Sequence, residues 1–191
     1  MTATTATATA GETTGGRSSA TTIALASECI AVLAERDETV ATAESLTAGL
    51  ISATLATVPG ASAVLRGGIA AYASEVKVSV LGVDAGIVEE HGVISGECAV
   101  AMAEAARNLF RAAWAVAATG VAGPDRQEGR PVGTVYVAVA GPRSVLAEEL
   151  SLSGERQAIR DDTVAAALRL LLTRCSSQEP SSRAPGTFPA R

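Results

Sequence analysis

The feature that most constrains this chain is a repeated change of apolar period between residues 21 and 174. Ile23, Ala26, Ile30 and Leu33 recur at helical spacing and predict a helix over 21–35. Residues 39–43 are short and β-branched and read as a strand, and 47–57 read as an Ala/Leu-rich helix stopped by Val58-Pro59-Gly60. A second strand is expected over 65–72, where Gly67-Gly68 mark a bulge or a close approach of backbone. A short helix follows at 74–81, ending at Gly82. Ser95 is an N-cap for a helix over 96–111, with Glu97 near its positive end and Cys98, Met102, Ala105 and Leu109 facing inward. Residues 114–119 read as a buried strand and 120–131 as a loop. Residues 132–140 and 144–151 form a hairpin through Gly141-Pro142-Arg143. A last helix over 155–174 carries Val164, Leu168 and Leu171 inward. Helices that bracket strands in this order cover both faces of a sheet, so the fold class is α/β: a three-layer α/β/α sandwich with a mixed β-sheet, in a single domain.

That domain spans residues 21–175. Residues 1–20 are dominated by Thr, Ala, Gly and Ser with no large apolar residue after Met1, and 176–191 are rich in Ser and Pro. Neither segment can bury enough surface to offset its ordering entropy, so both are expected to be disordered tails.

Composition narrows the function classes. The formal net charge is −5 with no dense Lys/Arg stretch, which argues against a nucleic-acid partner. The three cysteines, Cys29, Cys98 and Cys175, are far apart and form no CxxC pair, so neither a disulfide framework nor a zinc site is expected. They read as buried thiols of a cytoplasmic protein. The single histidine, His91, removes any mechanism that needs two. No apolar run approaches the ~18 residues of a membrane span, and the N-terminus lacks the basic-then-apolar order of a secretory signal.

Four segments carry possible chemistry. Glu44-Ser45-Leu46-Thr47-Ala48-Gly49 lies where a strand gives way to a helix. Free N–H groups and the positive helix end converge there on an anion or oxyanion, and Ser45 can be a nucleophile on a tight turn; an ordinary N-cap, Ser45 or Thr47, fits equally. The segment from Tyr72 to Lys77 can bring a phenol and an amine together, and a buried, neutral lysine can activate a serine. A solvated lysine beside a core-edge tyrosine is the plainer alternative. Thr119-Gly120-Val121-Ala122-Gly123-Pro124 follows a buried strand and suits either an anion-binding nest or a plain turn. Arg156 and Arg160 share one helix face at a helix start, where cations are unfavourable without a partner anion, which could be a ligand or Glu155, Asp161 or Asp162.

Six collinear strings, AESLTAGL, VPGASAVLRGGIAAYASEVKVSVLGV, HGVISGECAVAMA, ATGVAGPD, RPVGTVYVA and SGERQAIR, resemble the CinA C-terminal domain family of PncC-type nicotinamide-nucleotide amidases over about residues 21–174. The resemblance implies hydrolysis of the carboxamide of nicotinamide mononucleotide to nicotinate mononucleotide and ammonia. It implies an α/β/α homo-oligomer whose partner is a small pyridine nucleotide, with no cofactor, no metal and no membrane. The family's nucleophile falls on Ser45, its tyrosine and lysine on Tyr72 and Lys77, and its threonine or serine before the glycine loop on Thr119. Thr47, Ala48, Gly49, Gly120, Gly123, Arg156 and Arg160 fall on its substrate-binding positions. Ala48 replaces a motif glycine, Leu46 a cysteine and Glu155 an aspartate, while the loop at 125–130 reads DRQEGR where the family is glycine-rich. A nucleotide-binding module without turnover, or a hydrolase of another small amide, are the alternatives that share this fold.

Overall fold

The computed structural model describes residues 15–177. The five strands are β1 (Val40–Glu44), β2 (Leu65–Ala70), β3 (Trp114–Gly120), β4 (Thr134–Ala140) and β5 (Val145–Ser151), and they form one sheet in the order β2-β1-β3-β4-β5. β1 pairs parallel with β2 and β3, and β4 pairs antiparallel with β3 and β5, so the sheet is mixed. The parallel half carries the crossover helices; the antiparallel half is closed by the hairpin turn in which Gly141 N–H donates to the Ser144 carbonyl.

The period-two alternation of the strands divides the core. Val40, Val116, Ala118, Val135, Val137 and Val139 face α1 (Gly15–Glu35), α2 (Leu50–Ala56), α3 (Ala61–Val64) and α7 (Arg156–Ser177). Ala41, Ala43, Ala115, Ala117, Ala138 and Ala140 face the opposite layer, built on α6 (Gly96–Leu109) with α4 (Ser74–Ser79) and α5 (Ala85–His91). The alanine face explains the composition: small side chains on strand and helix let α6 approach the sheet closely. Ser95 caps α6 by accepting from Cys98 N–H, as its sequence position predicts.

The alanine face also corrects the buried stripe of α6. It runs through Cys98, Ala99, Met102, Ala103 and Ala106; Ala105 is half-buried and Leu109 is 55% exposed. A flat alanine surface accepts Ala103 and Ala106 at closer range than a stripe ending in leucine would allow. Gly67 and Gly68 serve both expected purposes. The β1–β2 register shifts beside Val40, and a Cβ on Gly67 would lie 2.8 Å from the Phe110 ring. Helix α2 starts three residues later than expected, because 46–49 form a turn. α1 begins at Gly15 and α7 runs to Ser177, each into a segment expected to be a tail; the remainder of both tails lies outside the described residues. α3 and α5 are short helices that periodicity does not reveal.

Candidate active site

Ser45 follows β1 directly, and its N–H extends the ladder to the Ala118 carbonyl. Alternation therefore sends Ala41, Ala43 and Ser45 to the α6 side and Thr42 and Glu44 to the α2 side. The same alternation puts Thr119, at the end of β3, on the side of Ser45. Both residues lie at the carboxyl ends of adjacent parallel strands, where open α/β sheets bind ligands. They line one cleft with Tyr72, Gly120, Gly123 and Arg156.

Lys77 is the buried residue of α4, only 1% exposed. Its Nζ lies 3.0 Å from Ser45 Oγ and donates to the Ala71 carbonyl at 2.9 Å. Burial lowers its pKa from the ordinary lysine value, since little solvent supports the ammonium. Three groups oppose the shift: Cys98, Glu128 and Glu75. Burial pushes the Cys98 thiol up to about 11, so at neutral pH it carries no charge. Glu128 and Glu75 are exposed, and solvent screens them. Burial thus shifts the amine toward its uncharged form against a serine hydroxyl, the direction that a Ser/Lys pair requires.

The other predicted residues divide between the cleft and its frame. Tyr72 is 55% exposed at the mouth, and its hydroxyl accepts from Arg156 Nη2 at 2.6 Å; the Ser45–Lys77 contact is direct, without Tyr72 between them. Arg156 also donates through Nη1 to the Gly123 carbonyl, so its guanidinium spans the mouth. Thr119 Oγ1 donates to the Val93 carbonyl at 2.6 Å and ties the cleft wall to β3. The N–H groups of Ala122 and Gly123 donate to no backbone carbonyl among the described residues, which leaves that loop able to receive an anion.

The helix start is organised differently from a vacant anion site. The Glu44 carboxylate accepts from Gly49 N–H at 2.8 Å and Ile51 N–H at 3.0 Å through Oε2, and from Ser52 N–H at 2.9 Å through Oε1. Thr42 Oγ1 donates to Oε1 at 3.1 Å and contacts Ser52 Oγ. An internal anion thus satisfies the orphan donors of α2. Gly49 therefore serves the cap, and its φ of 98° is glycine territory. Ala48 takes a φ of 52° in the same turn and donates its N–H to the Ser45 carbonyl. Thr47 is fully buried, with its hydroxyl unpartnered. Arg160 turns away from the mouth: Nε donates to the Leu46 carbonyl at 3.0 Å, Nη2 to the Thr47 carbonyl at 3.1 Å, and Nη1 to Gln157 Oε1 at 2.9 Å. Sequence reasoning missed the role of Glu44, because it lies six residues before α2 and capping preferences concern short side chains at the cap itself.

The fold and this site define a class: a three-layer α/β protein that holds a buried lysine against a serine beyond the carboxyl ends of its parallel strands. The chain belongs to the CinA C-terminal domain family, whose model matches residues 22–175. It is 46% identical over 142 residues to a CinA-like protein of Frankia casuarinae, a match covering 74% of this chain and 33% of that protein. It is 48% identical over 132 residues to a putative competence-damage inducible protein of Desulforamulus reducens, covering 69% and 32%. The chain thus spans about a third of the length of these curated relatives. Among solved structures, a CinA superfamily protein of Klebsiella pneumoniae superposes with a TM-score of 0.80 at 28% identity, over 82% of this chain and 99% of that one. The competence/damage inducible protein CihA of Agrobacterium tumefaciens gives 0.77 at 35% identity, over 80% and 94%. Among the described residues no helix is long and apolar enough to cross a membrane.

Proposed function

We infer that this protein hydrolyses the carboxamide of nicotinamide mononucleotide, releasing ammonia and nicotinate mononucleotide. The observation that carries the reading is the 3.0 Å contact between Ser45 Oγ and a buried amine whose pKa burial lowers. With Lys77 neutral, its lone pair takes the Ser45 hydroxyl proton as Oγ bonds to the carboxamide carbon. The resulting ammonium returns that proton to the departing nitrogen, and the C–N bond breaks to give ammonia and an ester on Ser45. Water then attacks the ester with Lys77 again as base, and the carboxylate product leaves. A positioned base of this kind contributes typically ~10²–10⁴-fold to rate. Arg156, exposed at the mouth, and the Ala122–Gly123 backbone supply the donors for the nucleotide phosphate.

The test is ammonia release from nicotinamide mononucleotide by the wild type and the Ser45→Ala variant. Release by the wild type and none by the folded variant supports the reading. Turnover retained by Ser45→Ala removes Ser45 as nucleophile. A thermal shift with the nucleotide but no ammonia makes the protein a binding module. Release of ammonia from unphosphorylated amides alone moves the substrate to another class.

A further inference from the structure

Arg160 engages none of the groups that its sequence position suggests. Its guanidinium donates to two successive main-chain carbonyls, Leu46 and Thr47, directly after Ser45. A peptide unit is planar and trans, so fixing a carbonyl fixes the N–H on the opposite edge of the same plane. The Leu46 carbonyl bond sets the direction of Thr47 N–H. The Thr47 carbonyl, which also accepts from Leu50 N–H, sets Ala48 N–H, and that group donates to the Ser45 carbonyl. The three peptide planes after Ser45 are thus pinned through their carbonyls, two of them by one side chain from α7. The N–H groups of Leu46 and Thr47 donate to no backbone carbonyl among the described residues, and Leu46 lines the cleft with Ser45. Strain in the turn makes such a brace necessary, because Ala48 sits at a φ of 52° without the freedom of glycine.

We propose that Arg160 is a positioning residue for the nucleophile: by holding the Leu46 and Thr47 carbonyls it fixes the turn from which Ser45 projects and aims the free N–H groups of that turn at the developing oxyanion. The proposal rests on Ser45 being the nucleophile of the proposed function, and it assigns Arg160 to the reacting turn rather than to the substrate's phosphate. A donor lost from an oxyanion site costs typically ~10²–10³-fold in rate, and a comparable loss follows when the reacting groups are displaced by about 1 Å.

The experiment measures the rate at which an alkyl fluorophosphonate labels Ser45. This probe needs the nucleophile and its oxyanion donors but carries no nucleotide phosphate. Wild type, Arg160→Lys and Arg160→Gln are compared, with circular dichroism of each and with kcat and KM for ammonia release alongside. The expected result is labelling slowed about 100-fold in Arg160→Gln and less in Arg160→Lys, which keeps one cationic donor nitrogen, with kcat falling and KM holding. If Arg160→Gln does not fold, Arg160→Lys decides: slower labelling supports the proposal and unchanged labelling overturns it. Labelling at the wild-type rate with only KM raised overturns it in favour of substrate binding. Loss of fold in both variants overturns it in favour of a scaffold role. A wild type that does not label overturns it along with the nucleophile, whereas a wild type that labels but releases no ammonia refutes only the amide substrate.

Discussion

Replacing Lys77 by Met removes an amine that is 1% exposed and whose pKa lies below the ordinary value, and the consequence for stability has a definite pH dependence. In the unfolded chain this lysine holds its proton up to about pH 10.4. In the folded protein it releases the proton at lower pH, because burial disfavours the charge. Between the two values the unfolded state binds one proton more than the folded state, so wild-type stability rises with pH. The slope contributed by this one group is about 1.4 kcal/mol per pH unit inside that window, and zero below the folded value and above the unfolded one. Lys77→Met has no such group, so the difference between the two proteins isolates the effect. The lost contacts to the Ala71 carbonyl and Ser45 Oγ shift the difference by a constant but not its slope. Urea denaturation of both proteins at intervals from pH 6.5 to 10.5 measures it. Wild type is expected to gain on Lys77→Met as pH rises through the window, while the variant loses ammonia release throughout. A stability difference that stays constant across the range would show that the amine titrates as an ordinary lysine, and the argument for a neutral base would fail.

Glu44→Gln keeps shape but leaves one oxygen where the carboxylate uses two. Either orientation of the amide turns an NH2 toward a buried or part-buried N–H, and each such group left unsatisfied costs about 1–3 kcal/mol, so denaturant unfolding is expected to show a loss of about 1–3 kcal/mol. An unchanged midpoint and slope would refute the capping role. Ala48→Gly relieves a left-handed alanine at φ 52°. The relief of roughly 1–2 kcal/mol exceeds the added chain entropy of roughly 0.5–1 kcal/mol, so calorimetry is expected to show a higher Tm. Gly68→Ala places a Cβ 2.2 Å from Ser52 Oγ and 2.3 Å from Thr42 Oγ1, both held in the Glu44 network. Overpacking of this kind costs about 1–3 kcal/mol, read as an earlier unfolding midpoint, and a wild-type midpoint would show that the network yields freely.

The sheet and its covering helices were legible because strands and helices differ in apolar period, and the pairing of Ser45 with Lys77 was legible because the motif strings carry both. What the sequence hid follows a pattern. The targets of Arg160 are main-chain carbonyls, which no residue type advertises, so a cation at a helix start read as needing an anion, either a ligand or one of Glu155, Asp161 and Asp162. Glu44 read as a neighbour of Ser45, because strand alternation sends it to the opposite face and only the fold returns α2 to meet it. Tyr72 and Lys77 are five residues apart, yet one lies at the mouth beside Arg156 and the other beneath the cleft. Leu109 matched the helical stripe of α6, but the alanine face of the sheet favoured Ala103 and Ala106.

Activation of Ser45 by an uncharged Lys77 is tested by the pH profile of kcat/KM for ammonia release, with Lys77→Arg measured alongside. The expected rate rises with pH along one ionisation whose midpoint lies below the usual lysine range, and the permanently charged arginine gives no activity at any pH. A wild-type profile that is flat, or a Lys77→Arg variant that still turns over, would contradict it.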